Sequence, residues 1–186
     1  MGSAHVEKNE DKWLISLLSD PKMRERAFSS LVGGIVESLY WKIRHIVLSH
    51  EDADDILQET LVKAWTNLDK YEGKAKFSTW IYRIAVNQAI DFLRRSRSTD
   101  PLDSPQASHV AHQLMADEYF DGDEAQARLQ EAIARLPEVQ RAVFTMRYYD
   151  EMKYSEISKI LGTSEGALKA SYHLAMKKIR SMIEDS

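Results

Sequence analysis

An all-α fold divided into two small helical domains is predicted by three observations. The 186 residues contain only 7 Gly and 4 Pro, and runs of alternating β-branched residues are scarce, so apolar positions recur at helical rather than strand spacing. Three prolines, Pro101, Pro105 and Pro137, fall after residue 100. Around the first two lies a turn-rich segment that continues into Asp117, Glu118, Asp121, Asp123 and Glu124. Low hydrophobicity with one sign of charge cannot offset the entropy of ordering a core, so residues 99–124 are expected to be a flexible acidic linker, with a short helix around His112 to Ala116. It separates a first domain over 1–98 from a second over 125–186, both of ordinary domain size.

In the first domain, one helix is expected from Arg24 to His50, with Ala27, Phe28, Leu31, Ile35, Leu39, Ile43, Ile46 and Val47 at helical spacing. A second is expected to begin near Asp52, whose carboxylate can cap free amides. It would bury the stripe Leu57, Leu61, Trp65, Leu68 and expose Asp52, Asp55, Gln58 and Glu59. After the loop Tyr71 to Lys76, a third is expected from about Ser78 to Arg97. Ile81, Ile84 and Ala85 turn inward, and Arg83, Asn87, Asp91 and Arg94 form a polar stripe.

In the second domain, a helix from Asp123 to Leu136 is stopped by Pro137, and another runs from Glu138 to about Tyr148 because proline is tolerated at a helix start. Tyr154 to Leu161 is a short helix closed by Gly162, and Ser164 caps a long last helix from Glu165 to about Met182. Leu168, Tyr172, Ala175 and Ile179 are its core face; Lys169, His173, Lys177 and Arg180 line another.

Charge limits the functions available. Residues 1–98 hold 15 basic and 14 acidic side chains, 99–124 hold 7 acidic and no basic, and 125–186 hold 10 basic and 8 acidic, for a net −4. A protein that bound DNA alone through bulk electrostatics would be basic, so DNA binding here requires local basic stripes or a partner. The chain has no Cys, which removes disulfide scaffolds, Cys-ligated zinc, iron–sulfur clusters and thiol catalysis. The N-terminal residues show no signal-peptide pattern and no stretch matches a membrane span, so a cytoplasmic protein without membrane insertion is expected.

Two constellations suggest nucleic acid. Tyr154 to Lys169 forms a short helix, a glycine turn and a second helix, the plan of a helix-turn-helix whose second helix enters the major groove. On that reading Ser164, Glu165, Lys169 and His173 face bases, and Lys177, Lys178 and Arg180 face phosphates; an ordinary helical corner with a solvated Lys/His face is the alternative. From Phe77 to Arg95, aromatics alternate with basic and amide side chains, and Lys74 and Lys76 lie just before. Rings beside cations suit unpaired bases and their backbone, although Phe77, Trp80 and Tyr82 could equally fill the core. The acidic edge Glu51, Asp52, Asp54, Asp55, Glu59 has no Glu-x-x-His partner, and its remaining functional use is docking to a basic partner. No Walker loop, Gly-x-Ser-x-Gly elbow or His-Glu-x-x-His is present; no enzyme, metal, cofactor or small-molecule substrate is expected.

These residues resemble a family, the small two-domain extracytoplasmic-function (ECF) group of bacterial sigma factors. The marks are Asp52-Ala53-Asp54-Asp55-Ile56-Leu57-Gln58-Glu59-Thr60 followed by Lys63-Ala64-Trp65, then Phe77-Ser78-Thr79-Trp80-Ile81-Tyr82-Arg83-Ile84-Ala85 with Asn87, then Leu136-Pro137, then Tyr154-Ser155-Glu156-Ile157 leading to Gly166-Ala167-Leu168-Lys169. The resemblance implies a transcription initiation factor. Asp52, Asp55, Gln58 and Glu59 would dock on core RNA polymerase. Tyr71, Lys74, Lys76, Trp80, Arg83, Asn87, Asp91 and Arg94 would bind and hold open the promoter's minus-ten element. Ser164, Glu165, Lys169, His173, Lys177 and Arg180 would read the minus-thirty-five element. An anti-sigma factor is the implied regulatory partner. Many members carry more Arg along the last helix, where this chain has Ser171, Leu174 and Met176. The competing reading is a stand-alone helix-turn-helix regulator with an N-terminal sensing or dimerisation domain, which gives no role to the acidic edge or the aromatic-basic loop.

Overall fold

The computed structural model describes residues 16–18, 20–99 and 124–184, and every regular element among them is a helix. Most of the acidic linker, with the short helix expected around His112 to Ala116, lies outside the described residues.

Two helices, α1 (Arg24–Gly33) and α2 (Val36–Val47), stand where one was expected. Gly33 and Gly34 each disfavour a helix by about 1 kcal/mol relative to Ala. There the chain tightens into a turn in which Ile35 N donates to Val32 O at 2.9 Å. α2 ends at Leu48, whose φ of 68° is left-handed, a conformation that costs a side chain with a Cβ about 1–2 kcal/mol. Arg44 holds it from both sides: its carbonyl accepts from Leu48 N at 2.9 Å, and its guanidinium donates to Leu48 O.

The next helix, α3 (His50–Thr66), is capped by Ser49 rather than by Asp52. Ser49 has extended backbone, and its hydroxyl accepts from Asp52 N at 3.3 Å, the geometry that satisfies an orphan amide of the first turn. Its buried face is Ala53, Ile56, Thr60 and Ala64, offset from the stripe expected. Of that stripe, Leu57 and Leu61 are half-buried, Trp65 is 37% exposed, and Leu68 is buried but sits in a 3-10 turn, Leu68–Lys70. The small residues let neighbouring helices approach, and the large ones seal the rim.

α4 (Phe77–Thr99) is 23 residues long and buries Ile81, Tyr82, Ala85, Val86, Ala89 and Ile90. Ile84, expected inside, is half-buried. The C-terminal half follows its expected plan: α5 (Glu124–Ala134), α6 (Glu138–Tyr148), α7 (Tyr154–Leu161) and α8 (Glu165–Glu184). Pro137 precedes α6 and accepts Arg141 N at 2.8 Å. Gly162 ends α7 with φ 64°, where any other residue would be strained.

The core has two parts. One gathers Leu39, Ile43 and Ile46 of α2 with Ala53 and Ile56 of α3 and Ile81, Ala85 and Val86 of α4. The other gathers Ala132 and Ile133 of α5, Leu136, Phe144 of α6, and Ala175 and Ile179 of α8. α6 lies between them, buried without a break from Arg141 to Met146. Its Phe144 enters the second cluster, while Ala142, Val143 and Met146, with Ile157 and Ile160 of α7, pack into the first. The two halves therefore meet along an apolar face.

Candidate nucleic-acid interface

The loop before α4 is built by an aromatic cluster. Tyr71 is buried, its hydroxyl donates to Ala75 O at 2.9 Å, and its ring meets Phe77 edge-on at 5.6 Å and Trp80 at 5.4 Å. Gly73, at φ 65°, takes the left-handed turn. The resemblance put Tyr71 among the minus-ten contacts; its side chain lies beneath the loop and braces it. Lys74 and Lys76 are exposed on the loop. Lys74 pairs with Glu72, whose hydrogen bond and charge push the ammonium above its usual range. Trp80 is half-buried, and Phe77 and Tyr82 are in the core.

Along α4, Arg83, Asn87, Asp91 and Arg94 are all exposed, one continuous stripe leading from the loop. Arg94 lies 3.4 Å from Asp91 and 3.6 Å from Glu138 of the other half.

α3 carries the acidic face. Asp55, Gln58 and Glu59 are exposed and Asp52 is half-buried. Burial, reinforced by repulsion from Asp55 and Glu51, raises the Asp52 carboxyl, against the pull of the Ser49 hydroxyl. Glu59 accepts Gln88 Nε2 at 2.8 Å, and Lys63 donates to Gln88 Oε1. Gln88 is thus a buried clamp between α3 and α4, unrecognised in the sequence because a lone Gln has no pattern. Val62, one turn beyond Gln58 and Glu59, is 63% exposed and adds an apolar contact point beside the carboxylates. Its sequence signal is its position outside the buried series Ala53, Ile56, Thr60, Ala64.

In the helix-turn-helix, Ser164 Oγ accepts Ala167 N at 3.3 Å, and Ser164, Glu165, Lys169, His173, Lys177 and Arg180 are all exposed. Leu168, Ala175 and Ile179 anchor the opposite side of α8. Lys169 Nζ sits 5.8 Å from the Tyr154 ring centroid, a cation–π contact that draws its stem toward α7. Lys178 donates to Gln140 at 3.1 Å, which turns it toward α6. Among the described residues no cluster of His, Asp and Glu could hold a metal.

Both halves of the chain match known families. Residues 35–99 match the family described as Sigma-70 region 2, and residues 126–179 match Sigma-70, region 4. The ECF RNA polymerase sigma factor SigW of Bacillus subtilis is 30% identical over 168 residues, covering 86% of this chain and 90% of the relative. The ECF RNA polymerase sigma factor RpoE of Cereibacter sphaeroides is 31% identical over 136 residues, covering 69% and 70%. The fold is shared with CnrH, solved in complex with the cytosolic domain of CnrY, at a TM-score of 0.66 and 23% identity, covering 95% of this chain and 98% of that one. It is also shared with the sigma factor RpoE of Bartonella quintana, solved with the anti-sigma factor NepR, at a TM-score of 0.62 and 17% identity, covering 84% and 96%. The chain belongs to the sigma-70 family of RNA polymerase sigma factors, in its ECF group.

Proposed function

We propose that this chain binds core RNA polymerase, directs it to particular promoters and helps open them. The observation that carries the reading is the combination, on one chain, of an exposed acidic helix face, an aromatic-braced basic loop leading to a polar stripe, and a capped helix-turn-helix. A stand-alone regulator has a use only for the last.

Each surface has a role suited to its chemistry. Asp55, Gln58 and Glu59, with Val62 beside them and Asp52 at the start of the face, dock on a basic surface of the polymerase. Lys74, Lys76, Arg83, Asn87 and Arg94 track the melted minus-ten strand. Trp80 offers a ring edge and Tyr71 sets the loop, since unpaired bases are held by stacking and by cations along the backbone. Asp91 tempers that stripe by pairing with Arg94. Ser164, Glu165, Lys169 and His173 face bases of the minus-thirty-five duplex, and Lys177 and Arg180 face its phosphates. The two functional regions correspond to residues 1–98 and 125–186, with the acidic stretch between them passing through the polymerase. Because the polymerase contributes much of the grip, the net charge of −4 is no obstacle.

No described helix is long and apolar enough to cross a membrane, and the work assigned here belongs in the cytoplasm, without catalysis by the chain itself. An anti-sigma factor is the expected regulator, a reading supported by the regulatory partner named with the Bartonella quintana relative.

Charge reversal tests the reading. Asp55→Arg leaves the Glu59–Gln88 clamp in place and should weaken association with core polymerase about tenfold or more. Duplex binding by the isolated chain should be unchanged. Equal polymerase association by the variant would contradict the docking assignment.

A further inference from the structure

We propose that Leu174 is a base-reading residue: from the outward face of α8 its side chain packs on the 5-methyl group of a thymine in the major groove of the minus-thirty-five duplex, and so makes a T·A pair part of this chain's promoter choice. The proposal rests on the assignment of α8 to that duplex and names what the helix selects there.

Two contacts fix how α8 is turned about its buried side, which carries Leu168, Ala175 and Ile179. Lys169 Nζ sits 5.8 Å from the Tyr154 ring centroid, so that flank faces α7. Lys178 Nζ donates to Gln140 at 3.1 Å, so the other flank faces α6. At about 3.6 residues per turn, the line opposite the buried positions runs through Gly166, Ala170 and Lys177. His173 lies beside that line on the α7 flank, and Leu174 beside it on the α6 flank. All of these residues are exposed.

The outward line is shaped for close approach. A Cβ placed on Gly166 would meet nothing within 4 Å, so no packing inside the chain calls for glycine there. With Ala170 it keeps the first turns of the helix low, which lets the backbone come near base edges. Lys169 reaches those edges from the α7 flank, where the Tyr154 ring holds its stem.

Leu174 supplies what the other flank lacks. It is 47% exposed, whereas Leu168, the other leucine of α8, is 1% exposed, and among the described residues Leu174 joins neither core cluster. A solitary exposed leucine elsewhere on the surface would need no explanation. This one stands beside His173 and three residues before Lys177, both assigned to the duplex. An aliphatic side chain offers no donor or acceptor to a base edge, and the apolar group that base pairs present in the major groove is the thymine methyl. Contact between the two removes apolar surface of both from water.

The full chain, combined with core polymerase, is given a promoter library randomised over the minus-thirty-five element. Transcripts are counted for wild type and for Leu174→Ala, whose helical content is checked by circular dichroism. Wild type should favour a T·A pair at one position by about three- to tenfold, and Leu174→Ala should lose that preference while keeping those at the other positions. The thymine at that position is then replaced by deoxyuridine, which removes the methyl group and nothing else. Transcription should fall about three- to tenfold with wild type and less than about twofold with Leu174→Ala.

Equal falls with both proteins, or the absence of any thymine preference that depends on Leu174, would overturn the proposal. So would a loss in Leu174→Ala of the same size on every promoter, which would set the side chain against the polymerase instead. If wild type gives no transcript from any member of the library, the sigma reading itself fails and the assignment of Leu174 falls with it.

Discussion

The Tyr82 hydroxyl donates to Asp150 across 2.8 Å, joining the second turn of α4 to the elbow between α6 and α7. Burial first, and the adjoining carboxylate second, push the Tyr82 phenol well above its usual range. It therefore stays a protonated donor throughout the physiological range. Removing that donor leaves a buried carboxylate short of one charge-assisted hydrogen bond, which costs about 1.5–3 kcal/mol. Tyr82→Phe should lower the thermal midpoint by roughly 3–12 °C for a chain of this size. An unchanged midpoint would mean that the bond contributes nothing to the stability of the fold.

Ser49 caps α3. Ser49→Ala should destabilise the fold by about 1 kcal/mol, whereas Asp52→Asn keeps the bond donated by the residue 52 backbone amide to the Ser49 hydroxyl and should cost less. Chemical denaturation of both variants orders them, and a larger loss in Asp52→Asn would restore Asp52 to the capping role.

The register of α3 gives a paired test. Ile56 is buried and Val62 is 63% exposed, so Ile56→Ala should cost about 2–5 kcal/mol while Val62→Ser stays within about 0.5 kcal/mol. Val62→Ser should nonetheless weaken polymerase association. A Val62 variant that unfolds as readily as the Ile56 variant would show that the buried face has been misplaced.

What was legible in the sequence was whatever a single residue type marks strongly. Pro137 and Gly162 punctuate the second half, and the boundaries of α6 and α7 fell where they predict. The polar stripe of α4 was readable because Arg83, Asn87, Asp91 and Arg94 keep helical spacing. The break at Gly33 and Gly34 was hidden because Leu31, Ile35 and Leu39 carry the apolar rhythm across it. The α3 face was misread because large side chains draw attention, while close helix packing here uses Ala53, Thr60 and Ala64. The resemblance put Tyr71 among the minus-ten contacts, and its burial beneath the loop had no separate signal, because an aromatic in a basic loop has the same sequence signature whether it stacks on a base or braces the loop. The joining of the halves had no signal: Lys42, Tyr82 and Asp150 are far apart in the chain and meet only in the fold.

Acid should loosen the contact between the halves. Burial lowers the His45 pKa, and Lys42 and Arg44 lower it further against the opposing pull of Asp150. Its Nδ1 is buried without a hydrogen-bond partner among the described residues. Burial likewise pushes the facing Tyr149 phenol up to about 12, so the two rings stack as neutral groups. Because the folded pKa lies below the unfolded value near 6.5, the unfolded chain binds more protons in the window between them. Stability is present above that window and is lost as pH falls through it. Thermal midpoints measured from pH 7.5 down to 5 should fall more in the wild type than in His45→Phe, which keeps a ring without the titration. Parallel falls would remove His45 as the cause.

The central claim is that this chain gives core polymerase its promoter choice, and reconstitution tests it most directly. The purified chain is mixed with bacterial core polymerase, followed by gel filtration, and the mixture is supplied with a promoter library whose transcript 5′ ends are sequenced. The account predicts co-elution and new start sites that core alone ignores, each preceded by a shared pair of upstream elements. Separate elution with duplex DNA binding by the free chain and no new start sites would contradict it.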